Sequence, residues 1–240
     1  MESLYIIAPA YNEENNIEDF VKAWYPVLEQ YGNEDSRLVV VNDGSKDHTY
    51  EKLCRLAAGR SRLVPLDKEN GGHGSALLYG YRYAAEHGAD FIFQTDSDGQ
   101  TYVSDFEKFW KYRNSCDAIF AYRPVRGDGK KRQFIERVLC LIIRIIYGVK
   151  LPDVNAPFRL MKRSYIEEFL DCMPKDYNLP NVILTTAGAY CGKKIRFFKI
   201  HFGPRISGKN SINIGKIFKI GIKAPIDFIK IKTVLTRKRQ

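Results

Sequence analysis

The chain has no Cys-x-x-Cys pair. Its five cysteines stand singly at 54, 116, 140, 172 and 191, with no histidine at metal-ligand spacing. A zinc-finger-type site and a disulfide framework are therefore not expected, and reduced, buried thiols of a cytoplasmic protein are. Long hydrophobic runs are missing too. The longest, Val138 to Ile143, is cut by Arg144, well short of the roughly 18 residues that a spanning helix needs. Met1, Glu2 and Ser3 lead straight into an apolar segment without the basic region and apolar core of a signal peptide, so no leader is expected. There are no internal repeats and no low-complexity linkers. Acids are scarce at one end: residues 201–240 carry ten Lys and Arg against Asp227 alone, whereas the first 200 residues carry 28 bases and 27 acids. The excess behind the net charge of +10 thus sits near the C-terminus, where an anionic partner is expected.

What is present, across 240 residues of which 45% are hydrophobic, is enough apolar material for one large core. Short apolar runs alternate with helical periodicity. Leu4 to Ala8, Arg37 to Val41, Leu63 to Leu66, Asp90 to Gln94 and Asp117 to Ala121 read as strands. Helices are expected over Asn15–Tyr31, from Asp47 to about Ala58, from the Asn70–Gly74 loop to about Glu86, and over about Ser104–Tyr112. Such βαβ alternation predicts a mainly parallel sheet flanked by helices, with ligands at the carboxyl ends of the strands. Three polar clusters follow those ends: Tyr11, Asn12 and Glu13; Asp43, Gly44 and Ser45; Asp96, Ser97 and Asp98. Read as a strand end, Asp96 and Asp98 face one side about 7 Å apart. With the Gln100 amide oxygen they form an oxygen-rich half-shell suited to Mg²⁺ or Mn²⁺, with positions left for diphosphate oxygens. A calcium loop is excluded, because Thr101 occupies the obligatory glycine position. Tyr11 could line a base pocket, and Asp43 could accept a hydrogen bond from a base or ribose. The glycines at 71, 72 and 74 either offer amides to an anion or simply turn the chain.

These residues resemble the inverting family 2 glycosyltransferases of GT-A fold, in particular the polyprenyl-phosphate branch typified by dolichyl-phosphate mannose synthase. The resemblance runs in order through Pro9 to Glu14, Asp43 to Asp47, Asn70 to Ala76, Asp96 to Gln100, Asp153 with Phe158 and Arg159, and Arg205 with Gly208. It implies that Pro9, Tyr11, Glu13, Asp43 and Gly74 serve the nucleotide of a UDP- or GDP-sugar donor. It further implies that Asp96, Asp98 and Gln100 lie at ribose, diphosphate and metal, and that Arg159 and Arg205 contact phosphates or shape the acceptor site. The implied acceptor is a polyprenyl phosphate, whose ionised oxygen needs no protein base. A hydroxyl acceptor would need one, and Asp153 is the candidate. Departures cluster in the acceptor half: His73 stands where Lys is common, Pro157 replaces a glycine, Asn181 lies where relatives carry Glu, and Lys209, Asn210, Ser211 replace Ser, Lys.

Residues 1–211 are expected to form the transferase domain and 212–240 a basic amphipathic segment. In the latter Lys216, Lys219, Lys223 and Lys230 oppose Ile214, Ile217, Phe218 and Phe228, with Pro225 as an interruption. Such a segment suits the inner face of an anionic bilayer, with the protein peripheral to it. Nucleic acid is not expected as a partner, since only two aromatics could stack along this tail. Homo-oligomerisation is left open. The Arg132–Tyr147 stripe reads as a core helix or an interfacial one, and Arg123–Arg132 as a lid over phosphates or a solvated loop. Gly203 to Lys209 imitates a phosphate-binding P-loop but lacks Ser or Thr at Asn210. A module that keeps the fold without chemistry is the remaining alternative. The intact acidic turn speaks against it.

Overall fold

The computed structural model describes residues 2–124, 129–204 and 214–239, with the side chains of residues 130–131 and 214–222 excepted. Seven strands form one sheet: β1 (Leu4–Ala10), β2 (Arg37–Asp43), β3 (Leu63–Lys68), β4 (Phe91–Gln94), β5 (Ala118–Tyr122), β6 (Arg159–Lys162) and β7 (Ile195–Lys199). Their order is β3-β2-β1-β4-β6-β5-β7. Pairing is parallel except where β6 runs antiparallel to both β4 and β5. This is the expected mainly parallel α/β sheet.

Both faces of the sheet are buried, as the continuous apolar runs require. In β1 the alternation sorts the side chains: Leu4, Ile6 and Ala8 enter one core, Tyr5 and Ile7 the other. The first core lies under α1 (Ile17–Tyr31) and α4 (Phe106–Lys111), where Trp24, Phe93, Phe106 and Phe158 pack ring on ring. The second lies under α3 (His73–Glu86), α6 (Arg163–Leu170) and α7 (Pro180–Tyr190), with α5 (Lys130–Tyr147) and α8 (Ile214–Arg239) outside them. At Gly80 of α3 an added Cβ would collide with Ile7, so the absent side chain lets that helix lie close on the sheet.

Two expectations change. Pro225 does not interrupt α8, which runs through it. An internal proline costs a helix about 3 kcal/mol, but Phe228, Ile231 and Leu235 are buried against the second core, each contributing roughly 1.5–3 kcal/mol. Packing outweighs the lost hydrogen bond. The Arg132–Tyr147 stripe is a helix, but its apolar residues divide: Ile143 and Tyr147 are buried, while Phe134, Val138, Leu141 and Ile145 face outward. Among the described residues no helix is long and apolar enough to cross a membrane.

Candidate active site

The carboxyl ends of β1, β2 and β4 open on one edge, and their loops are tied to each other. Past β1 the chain turns at Asn12, which has φ 55 and is the single non-glycine residue with positive φ among those described. Its short amide tolerates that conformation, and it is used: Asn12 Oδ1 accepts from Lys46 N at 2.8 Å, while Ser45 Oγ accepts from Asn12 N at 3.0 Å. Glu13 N donates to Thr49 Oγ1 at 2.8 Å, and Asp47 Oδ1 accepts from Thr49 N at 3.0 Å at the start of α2 (Thr49–Ala57), whose N-cap is His48 instead of the expected Asp47. The Glu13 carboxylate is buried and takes the Asn16 amide at 2.5 Å, so it shapes this loop from beneath. Tyr11 lies half-buried at the rim. Pro9 meets the acidic turn directly, its carbonyl accepting from Ser97 Oγ at 2.8 Å.

β4 ends at Gln94, two residues before the first carboxylate, so Asp96 and Asp98 belong to a turn and not to a strand end. The strand-spacing reading is corrected accordingly. Gly99 has φ 76, and Asp98 Oδ1 accepts from Gln100 N at 3.2 Å, which closes the turn and leaves both carboxylates partly exposed. Thr95 and Thr101 hydroxyls bond across its base at 2.7 Å. Gln100 is buried, and its Nε2 donates to Gly203 O at 2.9 Å. Its side chain thus pins the 200–204 segment under the turn, a role the half-shell reading did not include. His73 Nε2 stands 3.9 Å from Asp96 Oδ1, a neighbour absent from the expected site. Among the described residues no group of three or more His, Cys, Asp or Glu has metal-binding spacing. The acidic turn sets two partly exposed carboxylates together, hard oxygen chemistry that suits Mg²⁺ or Mn²⁺ but is only part of a shell.

Asp43 is buried at the end of β2, and its oxygens are already engaged. Oδ1 accepts from Lys68 Nζ at 2.7 Å and Gly71 N at 2.9 Å, and Oδ2 accepts from Gly72 N at 2.8 Å. The anion held by the glycine amides is therefore the chain's own carboxylate. Gly74 is buried as well: a Cβ there would overlap the Tyr177 carbonyl oxygen and stand 2.7 Å from Asn178 O. Its role in the fold is to let α3 begin against the 177–178 backbone. That contact joins the glycine loop before α3 to the segment leading into α7.

Just past the end of β5, Arg123 grips Asp153 through Nε to Oδ2 at 2.9 Å and Nη2 to Oδ1 at 3.1 Å. Burial would raise the Asp153 carboxyl, but the guanidinium overrides it and holds the group below its usual range. A proton-accepting Asp153 is therefore corrected to a buried ion-pair partner. Glu136 of α5 completes the cluster, accepting from Val154 N at 2.9 Å; burial first, then the Asp153 charge, push its carboxyl up to about 7. Arg159 is fully buried under the sheet edge. Its guanidinium donates to Ala156 O at 2.9 Å, Val154 O at 3.1 Å and Thr185 Oγ1 at 2.8 Å and stacks 4.9 Å from Phe120. In this arrangement it holds the 153–158 segment and does not reach a phosphate from the surface. Arg205 lies outside the described residues, as do the tip of the expected lid at 125–128 and the proposed boundary at 211.

A mixed sheet with an acidic turn at its carboxyl edge and the β1 and β2 loops beside it has the form of a glycosyltransferase of GT-A type. The chain belongs to glycosyl transferase family 2, whose model matches residues 5–170. It is 32% identical over 176 residues to a dolichyl-phosphate beta-glucosyltransferase of Trichomonas vaginalis, covering 66% of this chain and 53% of that one. It is 26% identical over 226 residues to a prophage bactoprenol glucosyl transferase homolog of Escherichia coli, covering 93% and 71%. In structure it resembles glucosyl-3-phosphoglycerate synthase from Mycobacterium tuberculosis in complex with Mn²⁺, uridine-diphosphate and phosphoglyceric acid. The TM-score is 0.70 at 16% identity, over 96% of this chain and 78% of that one. The chain spans about half the length of two of the curated relatives it matches.

Proposed function

We propose that this chain is a metal-dependent, inverting glycosyltransferase that moves a sugar from a nucleotide-sugar donor to a polyprenyl phosphate at the inner face of a membrane. The observation that carries the reading is the meeting of three polar strand ends on one edge, with the Pro9 carbonyl bonded to the acidic turn through Ser97. The nucleotide would lie along the ends of β1 and β2, with Tyr11 at its rim. Asp96 and Asp98 would hold Mg²⁺ or Mn²⁺, which supplies positive charge to the diphosphate leaving group. The engaged Asp43 then acts by fixing the Gly71–Gly72 loop, or reaches the nucleotide only once that loop opens.

The choice of acceptor rests on acid–base chemistry. A lipid monophosphate has a second pKa near 6, by comparison with phosphorylated side chains, so it is largely ionised at pH 7 and attacks without a protein base. A hydroxyl acceptor requires a base within hydrogen-bond reach. Asp153 is spent on Arg123, which favours the phosphate. Support also comes from the relatives, one named for dolichyl phosphate and another for bactoprenol, and from the solved GT-A structure with bound Mn²⁺ and uridine-diphosphate. The basic C-terminal segment supports the peripheral location.

The test is a panel of UDP- and GDP-sugars read by thermal shift with Mn²⁺ or with EDTA. A ligand at 100 times its Kd stabilises by about 2.7 kcal/mol. One nucleotide-sugar should raise the midpoint, and EDTA should abolish most of the rise. No shift with any donor would contradict the proposal.

A further inference from the structure

We propose that the outer face of α5 is a bilayer-inserting surface whose partner is an anionic lipid membrane. Phe134, Val138, Leu141 and Ile145 are 68%, 38%, 55% and 73% exposed. At about 100° per residue they fall within an arc of roughly 60° on the helix. Single exposed apolar residues are ordinary on a protein surface, whereas a stripe of four large ones marks an interaction site. The helix cannot turn to hide them, because its other side is already fastened. Ile143 and Tyr147 are buried, Tyr147 Oη donates to Phe228 O at 2.7 Å, and Glu136 Oε1 accepts from Val154 N at 2.9 Å.

Charge selects the occupant. Arg137 and Arg144, both exposed and seven residues apart, run along one border of the stripe. The adjoining α8 exposes Ile226 and Ile229 beside Lys223 and Lys230. The acid of α5, Glu136, is turned inward to Val154, so the described charges bordering the stripe on its own helix are the two arginines; on α8, Lys223 and Lys230 share a surface pocket with Asp176 and Asp227. A second copy docked with its α5 antiparallel across a two-fold axis would bring the same arginines to the same border and set like charges together. An anionic bilayer satisfies both features, with apolar side chains at the acyl boundary and guanidinium groups among the phosphates. The inference deepens the peripheral location proposed above and shares with it only the lipid surface, not the transfer chemistry. It also gives that location an orientation, since α5 is tied by Glu136 to the segment beside Arg123 and Asp153. The acceptor side of the sheet edge would therefore be held toward the lipid.

The experiment compares the full chain with a Phe134→Ser, Leu141→Ser, Ile145→Ser variant by cosedimentation with phosphatidylglycerol and phosphatidylcholine vesicles, at low salt and at about 1 M salt, where the Debye length is about 3 Å. Wild type should favour the anionic vesicles, and part of its binding should survive high salt. The variant should lose roughly tenfold or more in partition at both salts. All three side chains are exposed, so its thermal midpoint should hold; Phe134→Ser and Ile145→Ser singly provide the same reading if the triple variant unfolds. Equal partition of variant and wild type would overturn the inference. So would a wild-type dimer that the variant turns into a monomer with unchanged vesicle binding, which would assign the face to a second copy. Nucleotide-sugar binding by calorimetry on the same proteins separates the two proposals. Lost partition with intact binding supports both, and lost partition in a protein that never binds a donor supports α5 insertion while removing the transferase reading.

Discussion

At Glu136 burial and the neighbouring Asp153 charge favour the protonated carboxyl, against the attraction of Arg123, and bring its pKa up to about 7. The folded chain therefore binds a proton that an unfolded glutamate, with pKa near 4.3, releases at lower pH. Stability from this group is fully present below about pH 4 and is lost as pH rises toward 7 and beyond. Glu136→Gln keeps an oxygen for Val154 N and removes the titration. From pH 5 to pH 8 the wild type should lose on the order of 2 kcal/mol relative to the variant, read from urea midpoints. Parallel pH profiles would show that Glu136 stays ionised. Asp153 has the opposite sign: its lowered pKa stabilises above the ordinary carboxylate range and is lost only in acid. The residue-level site was partly legible in sequence. The apolar run before them puts Asp96 and Asp98 at the carboxyl edge of the sheet, and the structure places them there, in the turn that follows β4. The clasp of Asp43 on Gly71 and Gly72, and the burial of Arg159, depend on contacts across 26 to 29 positions in the chain, which no local pattern records.

Among the elements, the first five strands and the helices between them follow from short apolar runs and helical periodicity. The later strands do not. β6 is only Arg159–Lys162, begins and ends on a charge, and is held in place by pairing with β4 and β5. β7 is half-exposed at the sheet edge, so its residues lack a buried-strand signature. The α3 entrance illustrates how one position can couple two elements. Gly74→Ala would push a Cβ into the Tyr177 and Asn178 carbonyls, which are backbone and cannot swing aside. Such overpacking costs about 1–3 kcal/mol. The variant should be destabilised by about that amount and should bind the donor nucleotide more weakly, because the shifted α3 carries His73 and the Asp43 clasp with it. A thermal midpoint equal to wild type would show that the loop yields freely.

For the whole molecule, the division of charge matters more than its total. The near-neutral first 200 residues and the cationic last forty give the protein a basic end. Lys223 and Lys230 stand exposed on α8, while the side chains of Lys216 and Lys219 lie outside those described. Each Lys near an anionic bilayer contributes roughly 1 kcal/mol, screened over a Debye length of about 8 Å at physiological salt. Replacing all four by Gln should weaken cosedimentation with anionic vesicles steeply at low salt and little at high salt. This salt pattern differs from that expected of the α5 stripe, and a salt-independent loss would place the lysines in a protein contact. The central claim, metal-assisted transfer from a nucleotide-sugar at the acidic turn, is tested most directly by single-turnover transfer. Purified chain, Mn²⁺ and the donor found in the thermal-shift panel are mixed with polyprenyl phosphate, for wild type and Asp98→Asn. The account predicts glycosyl phospholipid from wild type, and at least a hundredfold less from the variant, about 2.7 kcal/mol or more of lost transition-state stabilisation, with an unchanged melting midpoint. Product formation by Asp98→Asn at the wild-type rate would contradict it.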